Sequence, residues 1–260
     1  MNVIDAITAS NEADRLALGV YLVHGYPSLE QSQQAYDLLR TYEATIFEGG
    51  LPVNHLGKSS NVSDIIREAH HVASQTGLSD EEFLDFYGRY RPNLLMHTED
   101  GERQDMEQFR DRVRGSIDTV MTDNTELAAM LGQSFTPNQS SPLSVPFISA
   151  LSESPEQEVS EQTALAYVGV ASRAGGELLP LSQIQATVDK VKKAAPNAKI
   201  ICGMGICTAD DVREISRLSG IHGVSIGTEA MRRLNGGISD FESWLSEIVD
   251  ALVGEPELSM

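Results

Sequence analysis

Short apolar runs rich in β-branched residues alternate with polar, helix-like segments along the whole chain. Chains in which strands alternate with helices form parallel sheets, because each helix carries the chain back to start the next strand. Eight units of this kind predict an eight-stranded parallel β/α barrel, the (β/α)8 TIM barrel. The candidate strands are residues 16–23, 44–48, 93–97, 117–122, 144–150, 165–170, 198–202 and 223–226.

Several of the intervening segments start with a good helix cap, with Ser28 before LEQS and Thr208 before ADDV as the clearest examples. The segment after the fifth candidate strand, EQEVSEQ, is short for a helix. An open, doubly wound sheet is the alternative, but it usually carries a glycine-rich dinucleotide turn after its first strand. That turn reads HGYPSLEQ here. We therefore expect one barrel domain spanning residues 1–260.

Charge and hydropathy exclude several function classes. The chain has 38 acidic and 19 basic residues and a formal charge of -19, which repels nucleic-acid phosphates and anionic lipid. No apolar run approaches the roughly 18 to 20 residues of a membrane span, and the start of the chain lacks a basic region before an apolar core. We expect a soluble, cytoplasmic protein. Its two cysteines, Cys202 and Cys207, are too few for a disulfide framework and lack partners for a zinc site.

The second candidate strand ends on a carboxylate. Glu48 closes the run ATIFE and is followed directly by the turn GGLP. In β/α barrels the active site is built at the carboxyl ends of the strands. A charged group at the mouth of a barrel is seldom there for packing, since burial of an unpaired charge is costly. Glu48 is therefore the first candidate for a proton-transfer residue.

Three histidines follow the first three candidate strands. His24, His55 and His97 could converge on Glu48 at the barrel mouth. Two histidines and a carboxylate can bind a metal, but these residues lack the close spacing of a metal motif, so we predict no metal. We count His97 as a candidate catalytic residue and His24 and His55 as candidate substrate-binding residues. His70 lies on a polar helical segment and is expected to be exposed.

Seven segments, in their order along the chain, carry a resemblance to a known family. The chain resembles the tryptophan synthase alpha subunit, a β/α barrel that cleaves indole-3-glycerol phosphate in a retro-aldol reaction. Each motif is weak alone, but their joint order is moderately specific and covers nearly the full chain. The segments are LVHGYPSLEQS, ATIFEGGLP, NLLMH, SIDTV, YVGVASRAGGE, CGMGICTADDV and GVSIGTEAM.

The resemblance implies roles for particular residues. Glu48 matches the family's catalytic glutamate, which acts as general acid and base on the glycerol side chain. The two turns that match the family's phosphate-binding turns are Gly203-Met204-Gly205 and Gly227-Thr228, where backbone N–H groups hold the anion. Glu229 directly follows the second turn. A carboxylate there suits a helix start, but it would repel a phosphate if its side chain pointed inward.

The chain also departs from the family pattern. The family's second catalytic aspartate corresponds here to Ser59, and the loop after the sixth strand is shortened to RAGGELLPL. The family's tyrosine in that strand corresponds to Gly169, and its aspartate after the first strand corresponds to Tyr26. These departures predict a substrate other than, or broader than, indole-3-glycerol phosphate, with Ser59 in place of the second acid.

The sequence leaves two functions open. The first is a carbon–carbon lyase of the aldol type, in which Glu48 moves protons on a small hydroxylated substrate that could also be phosphorylated. Such chemistry requires no cofactor, because proton transfer to and from the substrate suffices. The second is a catalytically silent barrel that binds a partner, as the alpha subunit binds a beta subunit. Either protein could also form a homo-oligomer.

Overall fold

The computed structural model describes residues 2–53, 62–97, 106–122, 125–132 and 142–253. Within these ranges, the chain contains no helix that is both long and apolar enough to cross a membrane.

All the named strands belong to one parallel sheet. Their order in the sheet is β5-β4-β3-β2-β1-β9-β8-β7-β6, so nearly every strand lies beside its neighbours in sequence. The nine strand segments are β1 Ala17–Tyr21, β2 Ile46–Gly50, β3 Asn93–His97, β4 Thr119–Thr122, β5 Leu143–Ser144, β6 Phe147–Ser149, β7 Leu165–Gly169, β8 Lys199–Gly203 and β9 Gly223–Ile226.

The two edges of this sheet meet in one stretch of chain. Only Val145 and Pro146 separate β5, at one edge, from β6, at the other. The Val145 amide donates to the Val120 carbonyl at 2.9 Å, and the Pro146 carbonyl accepts from the Tyr167 amide at 3.0 Å. Hydrogen bonds therefore continue across the break and close the barrel. The predicted fifth strand is split because proline has no N–H to donate. The barrel fold is confirmed, with nine strand segments in place of eight.

The helices surround the sheet. The predicted caps are present, since the Ser28 side chain accepts from the Gln31 amide and the Thr208 side chain from the Asp211 amide. The segment EQEVSEQ is not an α-helix, and a single 3-10 turn, Pro155–Gln157, occupies its start. The ten α-helices among the described residues are α1 Val3–Glu12, α2 Leu29–Thr41, α3 Asp64–Ser74, α4 Asp80–Gly88, α5 Met106–Val113, α6 Thr125–Leu131, α7 Leu181–Ala194, α8 Ala209–Ser216, α9 Thr228–Gly236 and α10 Ile238–Ala251.

The amino end of the barrel interior is apolar and closed. Val3 and Ile7 of α1 are fully buried and pack against inward-facing side chains of the strands. Because side chains alternate between the two faces of a strand, each strand sends every second residue inward. The inward side chains of this apolar cluster are Ala17, Ile46, Leu94, Leu143, Val145, Leu165, Tyr167 and Ile201. The polar inward residues therefore lie toward the carboxyl ends of the strands.

Candidate active site

Glu48 is fully buried inside the barrel. Its Oε2 accepts a hydrogen bond of 2.7 Å from the Ser225 hydroxyl on β9. Its Oε1 has no hydrogen-bond partner within the described part of the chain. A Cβ on Gly19 would lie 2.1 Å from this oxygen, so only glycine at that position leaves room for the carboxylate. The strands thus hold the carboxylate by one oxygen and leave the other unpaired.

Burial changes the acidity of this carboxyl group. It raises the pKa of Glu48 from 4.5 to about 7, and the hydrogen bond from Ser225 opposes that rise. A group with a pKa near neutrality is present in both protonation states at physiological pH, so it can give or take a proton. The environment of Glu48 is therefore suited to general acid–base catalysis.

Two buried tyrosines lie beside Glu48. Tyr21 is its register partner on β1, and Tyr167 of β7 forms a hydrogen bond with Ser225. Burial, together with the charge of Glu48, raises the pKa of both phenols well above the usual range. A Cβ on Gly203 would lie 1.8 Å from the Tyr167 hydroxyl, so this glycine makes room for the ring. Both phenols are therefore protonated hydrogen-bonding groups.

Among the histidines that the structure describes, His70 is the one that lies at this site, and the expectation that it is exposed is wrong. Its side chain on α3 is 5% exposed, and its Nε2 lies 2.8 Å from the Tyr21 hydroxyl. Burial lowers its pKa to about 4, so the imidazole is neutral at physiological pH. His71, its neighbour, is exposed. The helical periodicity of α3, which buries Ala69, His70 and Ala73 together, was the signal that could have identified it.

His24 does not converge on Glu48. Its ring stacks on Phe86 of α4 with centroids 3.5 Å apart, and its Nδ1 lies 3.0 Å from the Ser32 hydroxyl on α2. Burial lowers its pKa to about 4, and Arg89 adds to this effect. The contacts of His24 are thus with the surrounding helices, because the chain has already left the sheet after Tyr21.

His97 also faces away from the barrel interior. Met96, the preceding residue, packs against the interior cluster, so His97 points to the opposite face of β3. Its Nδ1 lies 3.0 Å from the Thr122 hydroxyl, and its ring contacts Phe109 of α5 with centroids 4.4 Å apart. The directions of the side chains therefore do not support the hypothesis that His97 meets Glu48 at the mouth.

His55 and Ser59 lie outside the described residues, so their roles stay predictions. Among the residues that the structure does describe, no group of three His, Cys, Asp or Glu side chains is arranged to hold a metal ion.

The two glycine turns that resemble phosphate-binding turns lie at the carboxyl ends of β8 and β9. Gly203 ends β8, and Met204 and Gly205 follow with positive φ angles of 65° and 94°. Gly227 precedes α9, whose first residue Thr228 places its hydroxyl 3.1 Å from that of Ser63. Helix starts present unpaired N–H groups and favour anions. The anion-binding role of these residues stays a prediction.

Glu229 does not fold across the start of α9. Its carboxylate forms ion pairs with Arg232 and with Arg233, the latter at 2.7 Å, one turn further along the same helix. The side chain is 9% exposed, so two cations neutralise a largely buried charge. The repulsion that Glu229 would exert on an anion at the helix start is thereby reduced.

The loop RAGGELLPL is a tight turn that packs on both glycine turns. It is closed by an antiparallel bridge between Ala171 and Leu178. A Cβ on Gly175 would lie 2.7 Å from the Thr228 side chain, and a Cβ on Gly205 would lie 3.0 Å from the Gly176 carbonyl. The shortened loop therefore covers these turns closely.

Phe147 fills the space that a larger side chain at Gly169 would occupy. A Cβ on Gly169 would lie 2.6 Å from the Phe147 ring, which is the register partner of Tyr167 on the neighbouring strand. Phe147 remains 37% exposed. The interior at this level is thus lined by a phenylalanine from β6 where the family pattern places a tyrosine on β7.

Cys202 lies in the hydrophobic core. It is fully buried, and burial raises the pKa of its thiol to about 12. A thiol that stays protonated is unreactive, so Cys202 serves in packing.

Solved structures with the same fold cover the whole chain. A protein from Aquifex aeolicus VF5 superposes with a TM-score of 0.80 at 22% identity, covering 98% of this chain and 100% of that one. Tryptophan synthase from Mycobacterium tuberculosis, in an aminoacrylate-bound form, gives a TM-score of 0.77 at 15% identity and covers 97% and 100%. The tryptophan synthase alpha chain from Legionella pneumophila gives 0.76 at 16% identity and covers 100% of both chains.

The sequence itself matches no family model and no curated protein. The similarity thus rests on the arrangement of strands and helices along the full length. The chain has the fold of the tryptophan synthase alpha chains.

Proposed function

We propose that the protein is a cofactor-independent carbon–carbon lyase of the aldol type. Its substrate is a small molecule with an anionic group at one end. A hydroxyl group is attached to one of the two carbons that the breaking bond joins. Indole-3-glycerol phosphate belongs to this class.

The observation that carries the proposal is the state of Glu48. A fully buried carboxyl group with one hydrogen bond, no described partner for Oε1 and a pKa of about 7 costs the fold stability. A charged or hydrogen-bonded neighbour would reduce that cost, yet no described residue pairs with Oε1, which packs against Gly19 where a side chain would clash with it. Such an arrangement is typical of a proton-transfer group that acts on a bound molecule.

The chemistry needs two proton movements and no redox step. A base removes the proton of the substrate hydroxyl, and the hydroxyl oxygen becomes the oxygen of a carbonyl group. The carbon–carbon bond breaks, and its electron pair goes to the leaving carbon, which takes up a proton. Glu48 can serve in either movement, because its pKa allows both protonation states.

The two glycine turns supply the proposed anion site. Gly203, Met204 and Gly205 lie at one strand end, and Gly227 and Thr228 lie at the adjacent strand end. We assign the backbone N–H groups of these turns to the anionic end of the substrate. That places the hydroxylated chain between the turns and Glu48.

The test is turnover of a panel of aldol-type substrates that includes indole-3-glycerol phosphate. We expect Glu48→Gln to lower turnover by about two to four powers of ten, the contribution usual for general acid–base catalysis. Indole-3-glycerol phosphate itself should be a poor substrate. If Ser59 stands in place of the second acid, the loss of one charged hydrogen bond costs roughly one to two powers of ten.

Glu12→Gln is the matched control, because Glu12 is exposed on α1 at the other end of the barrel. It makes the same chemical change and should leave turnover unchanged. Equal turnover of Glu48→Gln and the unmodified protein would contradict the proposal. Absence of turnover across the whole panel would favour the catalytically silent partner instead.

A further inference from the structure

Tyr21 stands between Glu48 and the second glycine turn. It is the register partner of Glu48 and points into the barrel. A Cβ on Gly227 would lie 3.1 Å from the Tyr21 Cβ, and a Cβ on Gly50 would lie 2.6 Å from its hydroxyl oxygen. Two glycines thus make room for this ring. A molecule that reaches from the glycine turn to the carboxylate has to pass the phenol.

The phenol hydroxyl has hydrogen-bonding capacity to spare. A tyrosine hydroxyl offers one proton and two lone pairs. Within the described part of the chain, the Tyr21 hydroxyl has His70 as its hydrogen-bond partner, at 2.8 Å. One bond uses at most part of this capacity, so the oxygen can form a second bond to a ligand.

His70 fixes the position of that hydroxyl in either tautomer. The Val53 amide lies 3.4 Å from Nδ1, which favours the tautomer with the proton on Nε2. The second tautomer has its proton on Nδ1. In the first tautomer Tyr21 accepts from His70 and keeps its own proton for a ligand. In the second it donates to His70 and keeps its lone pairs. A substrate hydroxyl can bind to Tyr21 in both cases, but only in the first tautomer can Tyr21 donate a hydrogen bond to it.

We propose that Tyr21 binds the hydroxyl group of the substrate on which Glu48 acts, and that His70 is a positioning residue that holds the phenol in place. The inference rests on the proposed function and adds a substrate feature to it: a hydroxylated carbon chain is preferred over a deoxy chain of the same shape. With the His70 proton on Nε2, as the Val53 amide favours, Tyr21 donates a hydrogen bond where charge develops on the substrate oxygen, and it moves no proton itself.

The experiment compares two ligands in the Glu48→Gln background, where turnover is suppressed. Indole-3-glycerol phosphate carries the hydroxyls, and indole-3-propanol phosphate lacks them. We expect the first to bind about fivefold to tenfold more tightly, the ratio that one net hydrogen bond provides. Adding Tyr21→Phe, which removes only the hydroxyl oxygen, should reduce that ratio to about one. Calorimetric titration measures all four dissociation constants.

The His70 variants separate positioning from packing. In the same background, His70→Gln keeps an amide near Nε2 and should retain most of the ratio, whereas His70→Leu should lose it. In the otherwise unmodified protein, Tyr21→Phe should lower kcat more than it raises KM, since the bond strengthens as charge develops. Melting curves identify any variant that fails to fold, and Tyr21→Phe alone then decides the outcome.

The two proposals can fail separately. Release of indole by the Glu48→Gln protein at the unmodified rate overturns the proposed function. A ratio that Tyr21→Phe leaves unchanged overturns the role of Tyr21 while leaving Glu48 in place. No preference for the hydroxylated ligand, or no binding of either ligand at millimolar concentration, also overturns it.

Discussion

Ile46 and Glu48 occupy successive inward positions on the same strand, yet their surroundings differ completely. Both side chains are 0% exposed. Ile46 packs in the apolar cluster that also contains Val3 and Ile7. Glu48 lies two residues closer to the mouth, with one hydrogen bond to Ser225 and a second oxygen that no described residue pairs. The level of Ile46 is filled by closely packed apolar side chains, whereas the level of Glu48 holds a buried carboxyl group.

This difference shows where the molecule gains and loses stability. An apolar side chain in a close-packed interior contributes about 1.5 to 3 kcal/mol by burial alone. A buried carboxyl group with a raised pKa reduces stability whenever it is ionised. A fold tolerates such a group where the site requires it, as active sites often do. Substitutions at the two positions should therefore have opposite effects.

The largest stability change should come from the apolar level. Ile46→Ala removes a fully buried side chain and leaves a cavity, which costs about 2 to 5 kcal/mol. Urea unfolding at pH 7 measures the change. Turnover per folded molecule should stay near that of the unmodified protein, because Ile46 points into the cluster below Glu48. A loss of turnover as large as that of Glu48→Gln, with stability intact, would erase the distinction between the two levels.

The next effect is the contribution of Glu48 to the pH dependence of stability. Its pKa is about 7 in the folded protein and near 4.5 in the unfolded chain. Between these values the folded state holds a proton on Glu48 that the unfolded state has lost, so the contribution of Glu48 to stability falls as pH rises from about 4.5 to 7. The buried imidazoles of His24 and His70 contribute with the opposite sign, because their lowered pKa makes stability rise with pH between about 4 and 6.5. Above pH 7 the full cost remains, about 3 kcal/mol, as an upper limit.

Glu48→Gln removes this titration. The variant should therefore be more stable than the unmodified protein at pH 8 and nearly equal to it at pH 4.5. Unfolding curves at both values test this, with Glu12→Gln as a control that should follow the unmodified protein. A Glu48→Gln protein that is less stable at pH 8 would mean that the carboxylate stabilises the fold.

The smallest effect concerns Ser225. Its hydroxyl donates to Glu48 and opposes the rise in pKa. Ser225→Ala should raise the pKa of Glu48 by a further one unit or so, since a hydrogen bond to a charged group is worth about 1.5 to 3 kcal/mol. The infrared band of the protonated carboxyl group, identified by its absence in Glu48→Gln, gives the pKa. Ser225→Thr keeps a hydroxyl and should keep the pKa near its original value, whereas an unchanged pKa in Ser225→Ala would remove Ser225 from the site.

The strands and the position of Glu48 could be predicted because they depend on local patterns. Apolar runs alternate with capped helical segments, and Glu48 follows one such run. The split at Pro146 was visible in the sequence as a proline within a run, and the prediction overlooked it. The 3-10 turn in place of a helix follows from the same kind of evidence, since EQEVSEQ is too short and polar to pack as a helix.

The partners of Glu48 could not be predicted because they come from distant parts of the chain. Ser225 is 177 positions away in sequence, and His70 reaches Tyr21 across 49 positions. The prediction relied on histidines that follow strands. A residue beyond the end of a strand can turn toward the helices, as His24 does. Only the alternation of side chains within β1 and β9 marks Tyr21 and Ser225 as inward-facing.

Helix α1 closes one end of the barrel and therefore determines how a molecule can reach the interior. Val3 and Ile7 close the amino end of the barrel, so the route to Glu48 runs through the carboxyl end. A reaction that splits one molecule into two then has to release both products through the same opening that admits the substrate. The fragment nearer the opening leaves first, and the deeper fragment stays bound until the first fragment has left. If the protein is the lyase proposed above, we expect ordered release, with the last product competing against fresh substrate.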